Sequence, residues 1–431
     1  MIKTYKYGEF ELDELRSGET AETDISADVA AIIADVRKRG DAALYDYTRR
    51  FDKVELSALE VTREELDAAV ARCEPEFLAI LKRAAANIEA FHKNQVRTGF
   101  VAQSSGGVFM GQKITPIERV GLYIPGGTAA YPSSALMNAI PAKLAGVSEL
   151  IMVTPPAKDG NVNPDILAAA RVAGVDRVFK LGGAHAVAAL AYGTESVPRV
   201  DKITGPGNAF VAEAKRQVYG IVGIDMIAGP SDVLVIADDT ANPVLVAADM
   251  LAQAEHDANA TAVLVTDSAE LAAAVGAEVE RQLKLLPRGE IAGKSIERNG
   301  KLVVAPSIAA AVELANALAP EHLELCVASP FDLLDSVRNA GSVFLGHNTP
   351  EALGDYLAGP NHTLPTLGTA RFSSPLSVDD FTKKTQFTYF SESALRDAGR
   401  DVVAFAEREG LEAHARSVSL RLNSAESGGA E

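Results

Sequence analysis

Gln253 and His256 stand three residues apart at the end of an apolar run, so in a helix both side chains leave the same side of the last turn. An amide oxygen and an imidazole nitrogen placed that way could converge on one divalent ion. The same pair would also suit a polar final turn with a solvated histidine. Glu321 and His322 are adjacent, between Ala319-Pro320 and the apolar start at Leu323, so an acid and a base project from the mouth of a strand. A carboxyl tuned toward neutrality beside an imidazole suits proton transfer and water activation, although a solvated connector reads the same way. The run Gly354 to His362 adds Asp355, Asn361 and His362 in a loop whose glycines allow tight turns. Asp355 could lend an oxygen to an ion held by Gln253 and His256, but spacing alone leaves that convergence open.

The chain has seven histidines. His92 lies in a polar helical stretch and His347 follows a strand, where it can cap a turn. His414 occupies a C-terminal helical segment that also carries Glu409. His185 follows Gly182-Gly183-Ala184, a tight turn opening a helix, and Gly205-Pro206-Gly207-Asn208 is a second such turn. Backbone donors at helix starts could meet a phosphate there, or the turns could be purely structural. The dinucleotide fingerprint of three spaced glycines after a strand is missing.

These residues need elements to carry them. Asn242-Pro243 reads as a helix start, because Asn accepts from orphan backbone donors and Pro gives up an N–H unpaired in any case. Val244, Ala248 and Leu251 then define its packing face. From 25 to 90 the apolar residues repeat at helix spacing; from Arg119 onward strand and helix alternate. Repeated strand, crossover helix, strand units mean parallel sheets, whose ligands collect at the carboxyl ends of the strands. The expected fold is α/β: two Rossmann-like parallel-sheet domains, one inserted in the other, with an N-terminal arm and a small helical C-terminal domain. The arm spans 1–21, the main domain 22–122 and 233–376, the insert 123–232, and the C-terminal segment 377–431 with a disordered tail from Asn423.

At 431 residues the chain exceeds one core. Apolar residues are 47%, charged residues 23% and the net charge is −17, so without a basic stripe a small substrate is expected, with no nucleic acid and no membrane partner. No stretch approaches the ~20 apolar residues of a membrane span. Only Cys73 and Cys326 are present, too few for a disulfide framework, and the N-terminus lacks an apolar leader, so a cytoplasmic location is expected.

Taken together, Gly121-Leu122-Tyr123-Ile124-Pro125-Gly126-Gly127, Gly205-Pro206-Gly207-Asn208, Ala228-Gly229-Pro230-Ser231, Gln253-Ala254-Glu255-His256, Pro320-Glu321-His322, Gly354-Asp355-Tyr356 through Asn361-His362, and Glu409 with His414 make the chain resemble the histidinol dehydrogenases along nearly its full length. The resemblance implies one zinc per subunit on Gln253, His256, Asp355 and His414, the last reaching over from the other subunit of a homodimer. It implies Glu321 and His322 as the catalytic pair. Ser231, His362 and Glu409 would touch substrate together with Gln253, His256, His322, Asp355 and His414. Tyr123, His185 and Asn208 would touch NAD, His185 standing where glutamine is usual, and Asp232 stands where glutamate is commoner.

The implied reaction takes L-histidinol through the aldehyde to L-histidine with two NAD as cosubstrate, the last steps of histidine biosynthesis. The substrate's amine and imidazole suit zinc. Three rivals remain on the sequence: a dehydrogenase of the same scaffold for another small alcohol, a metal-dependent hydrolase using Glu321 to activate water, and a non-catalytic nucleotide-binding protein.

Overall fold

The computed structural model describes residues 2–16, 24–104, 106–126 and 130–427. Gly127, the end of the expected arm and the last four residues lie outside them. The chain divides into two compact units, one of residues 1–95 and 117–381, the other of 96–116 and 382–431.

The larger unit holds two parallel sheets. The first has the strand order Lys3–Lys6, Gly300–Val304, Thr261–Thr266, Asp232–Ala237, His322–Cys326 and Ser342–Leu345. The second runs Arg177–Lys180, Glu149–Thr154, Arg119–Tyr123, Lys202–Thr204 and Gly223–Ile224. All pairings in both are parallel. In each sheet the chain builds outward on one side of a central strand and then crosses to the other. The break in order falls between Asp232–Ala237 and His322–Cys326 in the first sheet, and between Arg119–Tyr123 and Lys202–Thr204 in the second. Strands such as Leu150-Ile151-Met152-Val153 are apolar at every position because helices cover both faces.

The expected arm is partly a strand: Lys3–Lys6 pairs with Gly300–Val304 at the sheet edge, and Leu15 is buried in the core beside Leu234 and Val312. The sequence reading groups 22–122 with the domain of 233–376. Packing sorts most of that stretch differently. Helices Ser26–Arg39 and Asp41–Phe51 share a core with Ile151, Phe179 and Ile203, and Pro75–His92 shares one with Val120, Leu122 and Met152, so they cover the five-stranded sheet. Helical periodicity identifies an apolar face without naming the sheet that it meets.

The smaller unit contains an antiparallel sheet absent from the sequence reading. Val108–Pro116 lies between Phe100–Ser104 and Thr382–Phe390, with Thr382 opposite Pro116 and Phe390 opposite Val108. Helices Glu392–Arg408 and Glu412–Ser427 complete it, and Gly399 lets Leu422 pack close, since a Cβ there would lie 2.9 Å from its Cδ2. The tail expected to be disordered from Asn423 is helical through Ser427.

Candidate active site

The helix Pro243–Ala254 starts as expected, Asn242 accepting from the Val244 N–H at 2.9 Å. Its packing face is rotated from the one read in the sequence. Val244 and Ala248 are exposed, while Val246, Ala247, Met250, Leu251 and Gln253 are buried. Nearly every position is apolar, so the pattern could not choose a face. The rotation puts the amide of Gln253 inside, against the start of strand Asp232–Ala237.

That location corrects a second expectation. A crossover helix runs antiparallel to the strand before it, so its C-terminal turn returns to the amino end of the sheet. Gln253, Ser231, Asp232, Glu321 and His322 therefore meet at the amino ends of the six-stranded sheet, beside the break in strand order. In the other sheet Tyr123 ends one strand and Gly182 and Gly205 follow two others, all at carboxyl ends.

Glu321 and Asp232 hold each other's backbone. The Glu321 N–H donates to Asp232 Oδ1 at 2.9 Å, and the Asp232 N–H donates to Glu321 Oε2 at 3.1 Å. His322 Nδ1 lies 3.1 Å from the Asp232 carbonyl oxygen. A carbonyl only accepts, so Nδ1 carries the proton and Nε2 keeps its lone pair. Burial pushes the imidazole down to about 3, with His256 and His362 adding like charge, so it stays neutral. Burial first, and then the Asp232 charge, hold the Glu321 carboxyl well above the usual carboxylate range.

Ligand-type atoms of His256, Glu351 and Asp355 lie within 4.8 Å of one another. Glu351 and Asp355 share a face of the helix Glu351–Tyr356, four residues apart. With its amide turned to satisfy both polar atoms, Gln253 accepts from the Asp232 N–H at 2.9 Å and donates to Glu351 Oε1 at 2.6 Å. An imidazole and two carboxylates thus converge within one protomer, with the Gln253 amide bonded to one of them, a donor set that suits a borderline divalent ion. His362 joins them: its Nδ1 lies 3.1 Å from the Asp355 carbonyl oxygen and its Nε2 3.5 Å from Ser134 Oγ. Burial pushes His362 down to about 4 and Asp355 up to about 6. A cavity of ~150 Å³ opens here, with His322, Asp355 and His362 on its polar side and Phe344 and Leu364 on its apolar side.

Sequence reasoning missed Glu351. Its signal was the four-residue spacing to Asp355 just after Thr349-Pro350, a pattern that a solvated first turn carries equally well.

Tyr123, His185 and Asn208 gather about the other sheet. Tyr123 is buried and its hydroxyl oxygen accepts from the Gly183 N–H at 3.0 Å; burial pushes the phenol up to about 12. His185 opens the same helix, stacked on Tyr47 at 5.7 Å, with both ring nitrogens buried and lacking a hydrogen-bond partner. Two orphaned polar atoms fit a site that a polar ligand completes. Asn208 is exposed and caps the helix Ala209–Val218 through the Val211 N–H at 3.2 Å. Gly205 has φ +110, and a Cβ on it would fall 2.1 Å from the Tyr123 carbonyl oxygen. Gly205→Ala is therefore expected to destabilise the protein by more than the ~1–3 kcal/mol of left-handed strain, as a fall in the urea midpoint at unchanged slope.

His414 and Glu409 lie in the smaller unit, both exposed, on or beside its two helices. Among the other histidines, His92 is buried with Nδ1 2.7 Å from Gln95 Oε1, and His347 meets Thr240 Oγ1 at 3.2 Å.

Residues 15–422 match the sequence profile of the family described as histidinol dehydrogenase. The chain is 54% identical over 410 residues to the histidinol dehydrogenase of Clostridium acetobutylicum, covering 95% of each chain. It is 55% identical to that of Geobacter sulfurreducens, covering 95% of this chain and 96% of the relative. A crystal structure of histidinol dehydrogenase from Elizabethkingia anophelis superposes with a TM-score of 0.94 at 40% identity, over 99% of both chains.

Proposed function

The chain belongs to the histidinol dehydrogenase family, an oxidoreductase family, and on that footing we propose that it oxidises L-histidinol through the aldehyde to L-histidine, using zinc and two NAD. The observation that supports this most is the pairing of Glu321 with a neutral His322 whose Nδ1 proton is committed to the Asp232 carbonyl. That leaves one base at Nε2 and one carboxyl, at the amino ends of the strands, near the group formed by Gln253, His256, Glu351 and Asp355.

Gln253, His256 and Asp355 are the residues we assign to zinc, with His414 of a second protomer as fourth. When bound, zinc orients the amine and imidazole of the substrate, and NAD accepts hydride. His322 Nε2 takes the hydroxyl proton in the first oxidation. Glu321 then takes a proton from the water that adds to the aldehyde, and the second oxidation gives the acid. His362 and Ser231 hold the substrate in place, with Glu409 on its ammonium group. Tyr123, His185 and Asn208 serve the cosubstrate. Burial around His322 and His362 keeps the aldehyde from bulk water. Neither cysteine serves as nucleophile: Cys73 and Cys326 are unpaired and buried, and burial pushes both thiols up.

A homodimer follows from the same reading. The smaller unit exposes Phe405 at 70%, Val101 at 66%, Phe100 at 58% and Tyr389 at 58%, apolar area that a second copy would cover. Among the described residues no helix is long and apolar enough to cross a membrane, and we place the enzyme in the cytoplasm, where unpaired thiols persist.

Incubation with limiting L-histidinol and excess NAD is expected to give two NADH per substrate, and stripping the metal with a chelator to abolish both. A metal-dependent hydrolase would give no NADH. One NADH per substrate would contradict the aldehyde step, and turnover of other small alcohols in preference to histidinol would favour the same-scaffold rival.

A further inference from the structure

Glu351 is 3% exposed and stands at the centre of the site, yet the mechanism above gives it no task. Burying a carboxyl among other carboxyls is costly, so its retention there needs a compensating interaction. Its neighbours identify one. Pro350 precedes it and its own N–H donates to Glu324 Oε1 at 2.8 Å, which pins the first turn of the helix Glu351–Tyr356 to the strand carrying His322. Its side chain then faces the Gln253 amide, with Oε1 at 2.6 Å and Oε2 at 3.3 Å from the amide nitrogen. Oε1 also lies 3.6 Å from His322 Nδ1, whose proton is committed to the Asp232 carbonyl.

An amide offers a divalent ion its oxygen and never its nitrogen, and the two ends are nearly the same size. Before an ion binds, the hydrogen bonds around it decide which end faces the site. We propose that Glu351 is a positioning residue: its carboxyl holds the amide nitrogen of Gln253, so that the amide oxygen, already accepting the Asp232 N–H, keeps its second lone pair for the cation. This rests on the zinc reading above. Glu351 acts on the ion through Gln253, in the way outer groups fix the orientation of a ligand.

The test is the zinc affinity of the purified full-length protein, measured by competition with a chromogenic chelator, in a cycle of Glu351→Met, Gln253→Ala and the double variant. Glu351→Met is expected to weaken zinc binding ~10–100-fold. The double variant is expected to fall well short of the product of the two single losses, because without the Gln253 amide there is nothing left to orient. A Glu351→Met protein with the wild-type affinity overturns the proposal. So does a double variant equal to the product, which would make Glu351 an independent partner of the ion. A wild-type chain that takes up no zinc overturns the metal reading and this one with it. Thermal unfolding of the metal-free proteins monitors folding, and if the methionine variant is unfolded, Glu351→Leu, which likewise cannot accept from the amide nitrogen, takes its place in the cycle under the same criteria.

Discussion

Replacing Glu321 by Gln is expected to lower turnover of the aldehyde by ~10²–10⁴-fold while the first oxidation of histidinol loses far less. The glutamine preserves shape and can still accept the Asp232 N–H that now bonds Glu321 Oε2 at 3.1 Å. What it cannot do is take a proton from water. Single-turnover measurement of each NADH separates the steps: the first should form at near the wild-type rate and the second should lag. Equal losses in both would show that Glu321 shapes the site rather than activating water. The pH profile gives a second readout. Burial holds this carboxyl well above 4.5, so the base form is lost as pH falls through that raised value. The second oxidation should therefore show an acid limb above the ordinary glutamate range, and the limb should vanish in Glu321→Gln.

Mixing two inactive proteins should restore activity. His256→Ala and His414→Ala are each expected to retain less than ~1% of wild-type turnover, since on the proposed zinc assignment each removes a ligand from every site, and loss of a group that only supports a ligand already costs ~10–100-fold. If the site takes His414 from the other protomer, a heterodimer of the two variants has one site with neither defect and one with both. Denaturing and refolding an equal mixture gives about half heterodimers, each with one intact site, so activity should return to about a quarter of wild type. Two proteins that stay inactive when mixed, with the heterodimer demonstrated by differently tagged chains, would place His414 within its own protomer or outside the site.

Much of this site was legible because its chemistry is carried by short runs. Glu321-His322 needs only adjacency, and Gln253 with His256 needs only the helical repeat, so types and spacing sufficed to single them out. Asp355 and His362 were visible as a polar loop, but the approach of Asp355 to His256 was not, since about a hundred residues and four strands intervene. Glu351 was passed over because a glutamate at a helix start is ordinary on a surface. Only burial makes it informative.

The alternation of apolar strands with helices determined the parallel α/β class, since period and composition depend on each residue's immediate neighbours. The sheet order, the helices that cover each sheet and the end of the strands where the acid, base and ligands meet were decided by tertiary packing. The antiparallel sheet joining Val108–Pro116 to Thr382–Phe390 makes the point: about 270 residues separate its partners, and each strand alone is a mixed polar segment. A strand's hydrogen bonds are satisfied by whichever edge the rest of the fold brings alongside, and that choice belongs to the whole chain.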